Sequence, residues 1–359
     1  MKRRFATAYA VFCTLLLVVG CLLTFYFAYQ TGIEETVSML CGLAVSFVFA
    51  SVAHELGHVA FAKVADMDCV YVKCFCFKIS LKKGKKHFSF ASPFADDQTQ
   101  VLPKRGGDMV DRAKKYTVGG LVVSGLLLLA VGTTAILFTA FGNVNYAFCG
   151  AVPYTAYLFL LNVAPLEYAG GKTDALVYVG LKKGSDAEKT MVAAMEIHGG
   201  LYEGKTYAEI EKSLYFDLPQ LCEDEPLYAV IAELRYRYYL EKEEFDLAAD
   251  QLNRLAQAQA YLASEEVEKV AAELVYMHAL NGDLALANES SKLCAEFLKS
   301  ETLTAKRVLA AVASANGDSE SVDALASQAE RVKTSEYVVG VRKFEQMLLE
   351  RIVENAQRA

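Results

Sequence analysis

Four apolar runs, each longer than about 20 residues, constrain this chain more than anything else in it. Residues 5–29 are apolar apart from small hydroxyls. Residues 37–62 are apolar except for one charged segment, and residues 116–141 and 144–164 carry no charge. About 20 helical residues cross a hydrocarbon core of ~30 Å. Backbone polar groups find no water there, so each run predicts a helix that pairs its own N–H and C=O groups. Met1-Lys2-Arg3-Arg4 has the character of a secretory n-region. The apolar stretch behind it exceeds the usual h-region of about 7–15 residues and shows no small-x-small cleavage site, so the first run reads as a retained span.

Charge divides the chain in two. Residues 1–181 carry 16 Lys+Arg against 11 Asp+Glu, whereas residues 182–359 carry 20 against 32. A mildly basic apolar half therefore precedes an acidic, water-compatible half, with domains expected at 1–185 and 186–359. Nothing in this balance points to nucleic acid. The cations cluster at the N-terminus and in segment 66–115, so the positive-inside rule puts both termini and that segment on the cytoplasmic side of a cell membrane, with four spans. Between spans two and three, residues 70–81 are rich in Val, Phe, Tyr and Ile. With a turn at Lys83-Gly84 and a return at 87–90, they read as a β-hairpin at the cytoplasmic membrane face. The nine Cys include a Cys74/Cys76 pair too close for a CxxC motif, and their odd number fits free thiols better than a disulfide framework.

The charged segment inside the second run is His54-Glu55-Leu56-Gly57-His58. On a helix, His54 and His58 stand at i and i+4 and project from one face. Two imidazoles so placed can share one Zn2+, and Glu55 can act as general base toward water. Ionisable groups within a span are costly and mark function by default. A catalytic zinc also needs a third protein ligand. His87, His198 and His278 read as ordinary surface or core residues. The end of the fourth run, Asn162-Val163-Ala164-Pro165, precedes Glu167, Gly170-Gly171 and Asp174, and either carboxylate is a candidate.

HELGH in a span, followed by Asn162-x-x-Pro165 near the end of a later span, resembles the site-2 protease family of intramembrane zinc metalloproteases. The resemblance covers roughly residues 37–185. The family pattern places an Asp-Gly five residues after the Pro; here Gly170 occupies that place. Thr173-Asp174-Ala175 resembles the Ser-Asp-Gly of branches with longer spacing. The resemblance thus implies zinc ligands His54, His58 and Asp174 (ahead of Glu167), with Glu55 activating water and Asn162 orienting substrate or capping the helix break. It implies peptide-bond hydrolysis in or near membrane-spanning segments of membrane-protein or peptide substrates, with the hairpin presenting substrate as a strand. Gly119-Gly120 through Gly125 is similar to a small-residue element of the family, and close helix packing explains it equally.

Residues 186–359 read as helical, with apolar positions at helical spacing over 227–240, 245–255, 267–280 and 284–297. Phe245-Asp246, Gly282-Asp283 and Gly317-Asp318 recur at intervals near the 34-residue tetratricopeptide period. The expected fold is thus an all-α membrane protein: about four transmembrane helices with a small β-hairpin, then a TPR-like soluble domain able to take a protein partner. Tyr236, Tyr238 and Tyr239 read as a core stripe rather than a peptide groove. The alternatives are an inactive relative serving as a membrane-anchored helical-repeat adaptor and a tethered soluble-type zincin. A transporter is disfavoured because no inverted repeat is visible.

Overall fold

The computed structural model describes residues 2–82, 85–90, 98–168, 171–223, 225–258, 262 and 264–358. The chain separates into two compact units. One comprises Met1–Lys82, Lys86–Leu102 and Asp108–Ser185; the other comprises Lys83–Lys85, Pro103–Gly107 and Asp186–Ala359.

The first unit is built on α1 (Lys2–Thr31), α2 (Ile33–Val64), α3 (Met109–Ala140) and α4 (Tyr146–Val163), followed by the short α5 (Asp174–Lys183). All four long helices have the length and apolar character needed to cross a membrane. Their packing reverses the soluble pattern. The buried stripe of α2 is Met39, Gly42, Ser46, Ala50, Ser51, His54, Glu55, Gly57, His58 and Ala62, spaced about one turn apart. Val45, Phe47, Phe49 and Leu56 on the same helix are exposed. Small residues let helix backbones approach closely. A Cβ added at Gly57 would lie 2.5 Å from the Gly119 carbonyl oxygen, and one at Gly119 would meet the Gly57 oxygen at the same distance. Gly42 and Gly150 make similar close approaches to the Ala147 and Met39 carbonyls.

Between α2 and α3 lies a four-stranded sheet of β1 (Met67–Cys74), β2 (Phe77–Lys82), β3 (Lys85–Phe90) and β4 (Gln98–Pro103), ordered β3-β2-β1-β4. The sequence reading of a single strand over 70–81 is corrected here. The chain turns at Phe75, which has φ 51°, and β1 and β2 pair antiparallel from Tyr71↔Ser80 to Cys74↔Phe77. The expected turn at Lys83-Gly84 lies outside the described residues. β4 escaped the sequence reading because its Gln-Thr-Gln start looks like loop; Thr99 and Pro103 are nonetheless buried.

The second unit is helical: α6 (Asp186–Tyr202), α7 (Ser213–Phe216), α8 (Pro226–Glu241), α9 (Phe245–Gln257), α10 (Ser264–Leu280), α11 (Leu284–Ser291), α12 (Ala295–Leu298), α13 (Leu303–Ala315), α14 (Ser319–Val332) and α15 (Val339–Arg358). The stretch 284–297, read as one helix from sequence, is interrupted by a 3-10 turn at Lys292–Cys294. Helix pairs α8/α9, α10/α11 and α13/α14 are joined by one kind of turn. Glu243, Gly282 and Gly317 all adopt left-handed φ, at 60°, 74° and 73°. The next N–H closes a six-residue loop each time: Glu244 to Tyr239 O, Asp283 to His278 O and Asp318 to Ala313 O. This is the Schellman closure of a helix C-terminus. Asp283 and Asp318 then cap the following helix. The repeat therefore falls at Glu244, Asp283 and Asp318; the last two match the sequence reading, and the first lies two residues before Asp246 of the Phe245-Asp246 pair read as the first separator.

This unit's core holds Ile197, Leu201, Leu240, Leu252, Phe344 and Leu348, with Tyr236 and Tyr238 buried among them. It also holds charge. Arg307 Nε donates to Glu345 Oε2 at 2.7 Å, and its Nη2 donates to Glu273 Oε1 at 2.6 Å. Tyr236 Oη donates to the other Glu273 oxygen at 2.7 Å, and the guanidinium stacks 4.1 Å from the Tyr276 ring centroid. Four helices, α8, α10, α13 and α15, are tied by this buried network.

Candidate metal centre

His54 and His58 lie one turn apart on α2, both buried, with ring centroids 5.0 Å apart. Asp174 joins them from the start of α5: its Oδ2 lies 3.2 Å from His54 Nε2 and 3.3 Å from His58 Nε2. These three residues form a group whose ligand atoms all lie within 4.8 Å of one another. Glu167, the other candidate, is exposed on the two-residue strand β5 (Glu167–Tyr168), paired with β6 (Gly171–Lys172) through Lys172.

The nine-residue spacing from Pro165 to Asp174 has a local cause. Ala164 is extended, as the residue before a proline must be, and α4 ends there. The chain then makes the β5–β6 excursion, whose Gly170 lies outside the described residues. Thr173 closes the excursion. Its Oγ1 donates to Ala164 O at 2.7 Å and accepts from Leu166 N at 3.2 Å, and its own N–H donates to Leu166 O at 3.1 Å. The same hydroxyl caps α5 by accepting from Leu176 N at 3.3 Å. The extra residues thus loop out, and Asp174 is delivered at the first position of a helix, where the backbone dipole favours a carboxylate.

The imidazoles are held from behind. His58 Nδ1 lies 3.1 Å from Tyr116 O, an acceptor only, so Nδ1 donates and Nε2 keeps its lone pair toward Asp174. His54 Nδ1 lies 2.9 Å from Ser124 Oγ, which can accept in the same way. Such partners behind metal-ligating histidines fix ring orientation and tautomer. Gly120 forms the opposing wall. A Cβ there would fall 2.5 Å from His58 Nε2 and 2.8 Å from His54 Nε2. Asp174 Oδ2 is buried and, among the described residues, lacks a hydrogen-bond partner. An orphan carboxylate oxygen facing two imidazole lone pairs suits a cation between them, and two His plus one Asp is a donor set Zn2+ accepts.

Glu55 is buried beside the group, and its Oε2 accepts a 2.5 Å hydrogen bond from Thr99 on β4. Thr99 O in turn accepts from Tyr116 Oη at 2.6 Å. Asn162 sits on the last turn of α4 and donates to Leu158 O at 3.2 Å. Leu158 lies one turn back on the same helix, and among the described residues no hydrogen bond links Asn162 to the three-residue group. His87 lies exposed on β3, and His198 and His278 lie in the second unit, outside the group.

Sequence reasoning missed Thr99, Tyr116, Gly120, Ser124 and Thr173 as supports. Ser124 and Thr173 left a trace: a hydroxyl inside an uncharged apolar run, and a helix-capping residue directly before the Asp. Thr99 left none, because its strand pairs far from the motif in sequence. No protein-family model matches the chain, and comparisons with curated proteins and with solved structures found no match.

Proposed function

We propose that this chain is an integral-membrane zinc metalloprotease of the site-2 protease type, hydrolysing peptide bonds in or near membrane-spanning segments. The observation that carries the reading is the convergence of His54, His58 and Asp174, from two separate stretches of sequence, beside a buried Glu55. Zn2+ bound there supplies Lewis acidity toward a carbonyl and toward water. The protein's own residues do the rest. Glu55 takes a proton from water as general base, and Thr99 fixes which of its oxygens is free. The tight Gly57–Gly119 seam excludes lipid from the histidines. β4, at an edge of the sheet and bonded to Glu55 through Thr99, suits an extended substrate strand added alongside it.

By the positive-inside rule both termini face the cytoplasm, which places the acidic helical unit there as a recruiting or gating surface for substrate or a protein partner. Its helix-pair turns support a tetratricopeptide-like reading.

The test compares membranes from cells producing the wild type and Glu55→Gln by sequencing newly formed N-termini. The expected result is a set of termini within or beside spans that appears only with the wild type. Identical sets would remove the protease reading.

A further inference from the structure

The second unit contains a cavity of about 290 Å3 whose polar lining includes Thr190, Gln220, Tyr228, Arg235, Gln251 and Arg254. Its chemistry runs against its surroundings. The half of the chain that holds it is strongly acidic, yet the described residues that line the space include two guanidinium groups and no carboxylate.

The two arginines differ. Arg254 is half exposed and pairs with Asp250 at 3.0 Å on its own helix. Arg235 is partly buried on α8. Its Nε is engaged by Tyr215 O at 2.7 Å, and its guanidinium carbon lies 5.6 Å from the Phe216 ring centroid. No acid pairs with it among the described residues. Burial, together with the Arg254 charge, lowers its pKa from the ordinary arginine value. A cation held partly out of water without a counter-ion loses part of its hydration, a cost that an anionic partner offsets. The remaining walls are Leu218, Pro219, Leu221, Ile231 and Ala232. Gln220 offers an amide donor and acceptor, the complement of a peptide backbone, and Gln251, whose Nε2 donates to Asp250 Oδ2 at 3.1 Å, adds its carbonyl oxygen and remaining N–H.

We infer that this cavity is a binding site for the carboxylate of a peptide that carries an apolar side chain next to it, with Arg235 as the anion-holding residue. Arg235, its Nε fixed from behind, offers its two Nη groups as a pre-oriented fork for a carboxylate. Arg254 adds charge at the mouth, and the apolar walls take the neighbouring side chain. The inference stands apart from the metal centre and does not depend on it.

The test is a ligand-observed NMR titration of the full chain in detergent with N-acetyl-leucine, using N-acetyl-leucinamide and inorganic phosphate as comparison probes. The expected result is saturable binding of the acid and none of the amide. Affinity falls at least about tenfold in Arg235→Gln and by less in Arg254→Gln, since a hydrogen bond to a charged group is worth about that factor or more. Circular dichroism checks that each variant stays folded. Arg254 is half exposed, so its variant decides the matter if Arg235→Gln unfolds. Equal binding of the amide, binding unchanged in both variants, no saturable binding of the acid, or binding of phosphate alone would each overturn the assignment.

Discussion

The two units of this chain solve opposite packing problems. In the first, the helix interiors hold Gly, Ser, Ala and His, while Leu, Val and Phe face outward. In the second, Leu, Ile, Phe and Tyr fill the interior. Large apolar side chains go inward only where water drives them there. In lipid no such force acts between helices, and close backbone contact through small residues takes over. The interior left by that arrangement has room and polarity for a histidine pair. The second unit handles charge differently: its buried Arg307 is matched by Glu273 and Glu345, so the charges hold helices together instead of waiting for a ligand.

This contrast can be broken experimentally. The largest effect is expected at Arg307. Arg307→Met removes the shared partner of two buried carboxylates, leaving Glu345 with Arg237 and Thr304, and should cost the second unit about 3–5 kcal/mol, read by chemical denaturation of the full chain in detergent. The network also sets a pH dependence. Burial opposes ionisation of Glu273, but the Arg307 and Arg237 charges and the bonds from Arg307 and Tyr236 outweigh it, so its pKa is lowered. A lowered carboxylate pKa stabilises the fold fully above the unfolded value of about 4.3, and this contribution is lost as pH falls through the folded value. Glu273→Gln should therefore flatten the acid limb of the stability profile below about pH 4.

Next comes a pair of leucines. Leu252, 1% exposed in α9, should cost about 2–5 kcal/mol when changed to Ala. Leu126, 61% exposed on α3, should change helix association by no more than about 0.5 kcal/mol. Equal effects would mean that both units pack by the same rule. Gly57→Ala, which forces a methyl against the Gly119 carbonyl, should cost about 1–3 kcal/mol in a thermal-unfolding assay in detergent. Smallest in stability is Thr173→Val, about 1 kcal/mol for a lost helix cap. Zinc affinity should fall about 10–100-fold in the same variant, because Thr173 sets the position of Asp174.

Much of this was legible from residue order alone. Long apolar runs gave the four helices, and HELGH gave two metal-competent imidazoles and the adjacent carboxylate. Residue order made both Asp174 and Glu167 candidates and only a resemblance put Asp174 ahead, because the closure of residues 164–173 by Thr173 depends on hydrogen bonds that no local pattern announces. The sheet was only half legible. Phe75 turns through a left-handed conformation that sequence does not signal for phenylalanine, and β4 begins with three polar residues of which only Thr99 is buried, against Glu55 far along the chain. Two of the three helix-pair turns are legible at Gly282 and Gly317, whereas the first reads two residues late, because its left-handed residue is Glu243 rather than glycine.

The central claim is that residues from α2 and α5 together hold one metal. Elemental analysis of the detergent-purified full chain, compared with His58→Ala and Asp174→Ala, tests it most directly. The account predicts about one zinc per wild-type chain and loss of zinc in both variants. Zinc retained at full stoichiometry in Asp174→Ala, or no zinc in the wild type after metal-supplied purification, would contradict it.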